Sequence, residues 1–183
     1  MKPIRQAFAV FVCAACALAA SAAMADSVMP VNAAQMTEKS ELVISGRCIS
    51  SRPEVKNDIN VTTSTFEVLD VVKGKVDGST FTFSQFVFRG APSYEPGREY
   101  ILFLTPESKL GLRSPVGLGQ GKFMVLKGMA INERNNRGLF TGLPDTKKTM
   151  KALSVGGVDP KAASGPISAK SLVDVVKGLD AGR

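Results

Sequence analysis

Between Leu42 and Leu126 the apolar positions fall into short alternating runs separated by turn residues. In "LVISGRCIS", Leu42, Ile44, Gly46 and Cys48 share one face, and Val43, Ser45, Arg47 and Ile49 share the other. That period of two predicts a half-buried strand, with Cys48 as a small buried hydrophobe. Pro53 and "KND" then read as a loop. "NVTTSTFEVLDVV" follows, rich in residues that suit a pleated surface, with Phe66 and Val68 on one face and Thr65, Glu67 and Leu69 on the other. "KGK" and "DG" close that strand. In "STFTFSQFVFRG" the phenylalanines change parity, from Phe81 and Phe83 to Phe86 and Phe88. A regular strand would send the two pairs to opposite faces. An extra residue near Ser84–Gln85 would gather all four on one side, and such a bulge coils a sheet toward barrel closure.

Pro96-Gly97 fits the centre of a type II turn, and "EYILFL" after it is apolar on both faces, as in a covered central strand. The glycine-broken "KLGLRSPVGLGQGKFMVLKGMAIN" holds one or two more strands, and "ERNNRG" reads as a hairpin turn into "LFTGL". Strands are thus expected near 42–52, 61–72, 79–89, 99–105 and 120–127. Residues 141–166 collect Pro, Gly, Lys and Ser and read as a surface loop. In "SAKSLVDVVKGL", Leu172, Val175, Val176 and Leu179 recur at helical spacing, with Ser168 as N-cap, predicting a helix near 168–180.

The first residues change the compartment. Lys2 and Arg5 precede an uncharged run, and "AMA" at 23–25 offers a small-residue cleavage site, the order of a secretory signal peptide. Cleavage after Ala25 places the product in the periplasm or outside the cell; the alternative makes Cys16 a lipoprotein anchor. "CAAC" at 13–16 therefore belongs to the leader and not to a redox site. Of the 183 residues, removal of 25 leaves 158 starting at Asp26, one domain's worth. Lys2 and Arg5 lie in the leader, so the net charge of +7 becomes +5. Cys48 is then the sole thiol, and packing alone must hold the fold. No later run is long enough to span a bilayer. The segments divide as 26–40, a loosely docked N-terminal lead; 41–140, a β domain; and 141–183, a loop and C-terminal helix packed on it.

The chain has no histidine, which removes Ser-His-Asp and Cys-His systems, H-E-x-x-H zinc sites and the commonest transition-metal ligand. "GLGQGK" at 117–122 imitates a phosphate loop, but Val116 stands where the first glycine belongs, Phe123 stands where Ser or Thr belongs, and a strand follows. It reads as a connection between strands. No catalytic, cofactor-binding or metal-binding residue is assigned, and no cofactor is expected.

"TFEVLDVVKG", a Phe-rich strand, the pattern G-x-x-x-Y-x-x-G-x-x-Y-I-L-F-L from Gly90 to Leu104 and "GLGQGKF" together resemble the netrin-like, or tissue-inhibitor-of-metalloproteinases-like, domain. The likeness covers about residues 40–127 and extends to a group of small exported bacterial proteins. It implies a mainly β fold: a five-stranded OB-like Greek-key barrel with an extra hairpin and a C-terminal helix. The animal inhibitors chelate zinc through an N-terminal cysteine and are stapled by disulfides; the expected first residue here is Asp26 and no disulfide can form, so that mechanism does not carry over.

The function expected is an exported, non-enzymatic, monomeric binding module. The alternatives are an accessory protein or inhibitor of a co-secreted protease, and an enzyme of another type. OB barrels present the outer face of strands 2 and 3 with adjoining loops. Mapped here, that surface comprises Arg52, Lys56, Thr65, Glu67, Lys109 and Arg113. Four of these six are basic, which points to an acidic protein or an anionic envelope component, and not to nucleic acid.

Overall fold

The computed structural model describes residues 29–159, 161 and 164–181. The expected signal peptide, its cleavage site at Ala25 and the Cys16 anchor lie outside these residues. Seven strands form one antiparallel sheet: β1 (Leu42–Lys56), β2 (Ile59–Lys73), β3 (Thr80–Phe86), β4 (Glu99–Leu104), β5 (Lys122–Leu126), β6 (Met129–Asn132) and β7 (Ile167–Ser168). Among the described residues three α-helices accompany it: α1 (Ala33–Lys39), α2 (Lys147–Gly156) and α3 (Ala169–Asp180).

The sheet order is β3-β2-β1-β4-β5-β6-β7. This is mainly β, as the alternating pattern predicts, but it is not a closed five-stranded barrel. Closing the first five strands would require β3 to pair with β5. The free side of β5 instead takes β6, which in turn takes β7. The sheet therefore stays open, with β3 and β7 as its edges.

Curvature arises in a different strand from the one expected. The β2–β3 register runs unbroken from Val61↔Phe86 to Glu67↔Thr80, so there is no bulge at Ser84–Gln85. The register slips instead in β1, between Val43 and Ile44, Ser45 and Gly46, and Cys48 and Ser50. Each slip bends the strand and increases its twist. The parity change among the phenylalanines consequently sends Phe86 and Phe88 to solvent. The β1–β2 connection is tighter than the sequence suggests: Asn57 and Asp58 both take left-handed φ, at 51° and 60°, and close a two-residue hairpin. Such a turn is flanked by a hydrogen-bonded pair, Lys56↔Ile59. Counting back by twos leaves Pro53 at a position whose N–H side faces away from β2, so the ring removes no ladder bond.

The bent sheet separates two apolar clusters. Inside the curl, Ile44, Cys48, Phe66, Phe83, Tyr94, Tyr100 and Leu102 pack together. Phe66 contacts three rings there, stacking on Phe83 at 6.0 Å between centroids and meeting Tyr94 and Tyr100 edge-on at 5.3 and 6.1 Å. On the opposite face Val43, Ile101, Phe103 and Phe123 meet the helices through Met36, Leu153, Leu172, Val175 and Val176. "EYILFL" is the shared wall, buried on both faces as its composition predicts.

Two segments are more ordered than their composition suggests. The N-terminal lead contains α1, capped by Asn32 and Gln35 in a reciprocal capping box, with Ala33 and Met36 in the core. The expected loop at 141–166 contains α2, which starts at the N-cap Thr146 and ends at Gly157 in the left-handed conformation. "LFTGL" forms turns and no strand. Asn136 fastens that region: its Nδ2 donates to Ala130 O at 3.0 Å and Gly165 O at 2.9 Å, while its Oδ1 accepts from Asn132 N at 2.9 Å. The C-terminal helix runs as its apolar stripe predicts, with Leu172, Val175, Val176 and Leu179 buried and Ser168 capping.

Candidate functional site

The six residues mapped as a binding surface lie on two neighbouring regions of the bent sheet. Arg52, Thr65 and Glu67 occupy the outer face of β1 and β2. Lys109 and Arg113 belong to the loop after β4, which Lys56 reaches from the end of β1 by donating from its Nζ to Gly111 O at 3.4 Å. Part of this charge is neutralised. Arg52 pairs with Glu54 at 3.1 Å, and Glu67 with Arg47 at 3.4 Å. Arg113 lies between Glu41 at 3.2 Å and Glu107 at 3.5 Å and donates to Thr105 O at 3.1 Å. Thr65 exchanges a hydrogen bond with Thr82 across the ladder at 2.9 Å. The Glu54 carboxyl is held below its usual range by the Thr63 hydroxyl hydrogen bond and then by Arg52. Among the described residues Lys109 alone of the four cations has neither an ion pair nor a hydrogen bond. Arg52 and Arg113 are thus ion-paired, and Lys56 and Lys109 are not.

The "GLGQGK" residues serve the fold. Gln120 Oε1 accepts from Val31 N and its Nε2 donates to Met29 O, both at 3.0 Å, so it ties down the segment ahead of α1. Gly121 passes so close to Val116 that a Cβ would stand 2.4 Å from the Val116 carbonyl oxygen. Lys122 Nζ pairs with Glu133 at 2.5 Å, donates to Ser93 O at 3.1 Å, and sits over the Tyr94 ring at 5.8 Å. No side chain of this stretch is left to cradle a phosphate.

The feature sequence reasoning missed is the free edge of β3. Val68 N donates to Ser79 O and Val87 N to Asn60 O, which fixes the parity of the ladder. Odd-numbered residues of β3 turn their backbone groups to β2, whereas Thr80, Thr82, Ser84 and Phe86 turn theirs outward. One outward group, Ser84 O, accepts from Arg113 N at 2.9 Å. Beside this edge Phe86 and Phe88 stack on each other at 6.4 Å while remaining 52% and 42% exposed. They border a groove of about 210 Å³ floored by Gln85, Pro92, Pro106 and Leu112. Gln85 is held rigidly: its Nε2 donates to Pro92 O and its Oε1 accepts from Tyr94 Oη at 3.2 Å. The parity change was the available signal, since unbulged pairing must put one pair of phenylalanines outside.

Among the described residues, no helix is long and apolar enough to cross a membrane. No protein-family model matches the chain, and no curated protein matches it either.

Proposed function

We propose that this protein is an exported, non-enzymatic binding module that takes an extended segment of a partner protein against the free edge of β3. The supporting observation is the row of outward-facing backbone groups at Thr80 and Thr82 beside the exposed Phe86–Phe88 stack. An added strand would satisfy those groups, and its alternate side chains would reach the aromatic pair and the groove. Arg89 and Lys109, neither ion-paired among the described residues, favour acidic residues at the ends of the segment. In the same reading the chain is an opened variant of the netrin-like, OB-type plan, with β3-β2-β1-β4-β5 as its five strands and β6 on the edge where closure would occur.

The test is a library of extended peptides with alternating apolar positions and acidic or neutral ends, titrated into isotopically labelled protein. Amide shifts centred on Thr80, Thr82 and Phe86, lost in the double variant Phe86→Ser/Phe88→Ser, are expected. Binders whose shifts map elsewhere, or a library without binders, overturn the proposal.

A further inference from the structure

The helices α2 and α3 leave a cleft of about 550 Å³ between them, lined by Lys147, Lys148, Lys151 and Val155 from α2 and by Lys177 and Gly178 from α3. The charges on its two walls differ in kind. On α3, Lys177 is neutralised by Asp70 at 2.9 Å, and Asp174 by Lys170 at 2.6 Å. On α2, Lys147, Lys148 and Lys151 form no ion pair among the described residues, and neither does the adjacent Asp145. The α2 wall therefore carries three uncompensated positive charges within five residues.

That placement is unfavourable for the helix itself. Lys147 and Lys148 stand in the first turn, at the positive end of the helix dipole, where the nearest acidic residue is Asp145, ahead of the N-cap. Lys151 adds like-charge repulsion at both three- and four-residue spacing. Val155, beside the lysines on the cleft wall, is equally unpartnered at 64% exposed. Lysines with an aliphatic neighbour on one exposed helix face suit an anionic surface with an apolar interior.

We propose that α2 and the cleft it shares with α3 dock onto anionic phospholipid, with Lys147, Lys148 and Lys151 at the phosphate level and Val155 at the boundary with the acyl chains. The three lysines match a layer of phosphates, and the exposed Val155 side chain among them distinguishes a lipid surface from a free ion. This surface is separate from the β3 edge, so the protein could hold its partner next to a membrane.

The experiment is co-sedimentation of the full-length secreted protein with vesicles of phosphatidylcholine, with and without one-third phosphatidylglycerol, at low salt. Binding to the anionic vesicles only is expected. Each lysine near an anionic surface contributes about a fivefold change in partitioning, so Lys147→Gln/Lys148→Gln/Lys151→Gln should weaken it by about a hundredfold. That variant should also melt higher, because its substitutions relieve repulsion, so lost binding cannot be put down to misfolding. The charge-matched control Lys39→Gln/Lys75→Gln/Lys127→Gln should bind like the parent, and Val155→Ser should weaken binding severalfold. Equal loss in the two triple variants would make the attraction a diffuse effect of net charge. Displacement by millimolar inorganic phosphate at constant ionic strength would make it a free-anion site. Either result overturns the proposal, as does no preference for anionic vesicles.

Discussion

Gly178 on α3 meets Ala152 on α2 so closely that a Cβ on the glycine would stand 2.7 Å from the Ala152 Cβ. The glycine sets how near the two helices can approach, and with it the floor of the basic cleft. On an isolated helix, glycine to alanine would stabilise by up to about 1 kcal/mol. Here the added methyl must push the helices apart, and overpacking of this kind costs about 1–3 kcal/mol. Gly178→Ala should therefore lower the melting temperature. A higher melting temperature would show that the helices do not pack at this distance.

The phenylalanines separate stability from binding. Phe66 is fully buried among aromatic rings, so Phe66→Ala should cost about 3–5 kcal/mol in denaturant titration. Phe86 stands on the solvent side of β3, and Phe86→Ser should change stability by less than about 1 kcal/mol while abolishing peptide binding at the edge. A large loss of stability in Phe86→Ser would mean that the side chain is covered in the native protein.

Asn136 takes a left-handed φ of 55° and bridges three segments by hydrogen bonds. Alanine there loses those bonds and sits unfavourably in the left-handed region, so Asn136→Ala should destabilise by about 3 kcal/mol. Asn136→Gly loses the same side-chain hydrogen bonds but tolerates the left-handed φ, so it should recover part of the loss. Identical values for the two variants would leave the hydrogen bonds as the whole effect.

Alkaline pH should destabilise the protein. Burial pushes the Tyr94 and Tyr100 hydroxyls and the Cys48 thiol above their ordinary values. A group whose folded pKa is raised binds its proton more tightly in the native state, so its stabilising effect is complete below the unfolded pKa and lost as pH rises past it. Stability should fall from about pH 9, where an unfolded thiol begins to ionise, and fall more steeply above about pH 10 with the tyrosines. With no histidine side chain to titrate, little change is expected between about pH 6 and 8. Unfolding by urea across this range is the measurement, and a midpoint unchanged to pH 11 would contradict it. Cys48 in the folded protein should also resist aromatic disulfide reagents at pH 8 and react once unfolded.

Elements whose environment is uniform along their length were legible from residue pattern alone. "EYILFL" announces burial on both faces, the stripe Leu172, Val175, Val176 and Leu179 announces one buried helix face, and Pro96-Gly97 announces its turn, confirmed by the Gly97 φ of 83°. Each of these signals is local, so no distant residue had to be known. The cap pairs around α1 and α2 were equally local, Asn32 with Gln35 and Thr146 with Gly157, but polar composition concealed them.

The remaining features depend on which segments meet in space. Whether the sheet closes depends on which strand reaches the free side of β5, a competition between β3 and β6 that no single strand's pattern encodes. Whether Phe86 and Phe88 turn inward depends on whether the bend lies in β3 or in β1, and only the paired registers place it in β1. Charge is the same case: Arg52 and Arg113 read as available cations until Glu54, Glu41 and Glu107 are brought beside them, whereas the α2 lysines stay unpaired because the acidic residues of α3 are already engaged. A net charge counts residues, but the potential that a partner meets depends on the distances between them, and folding sets those distances.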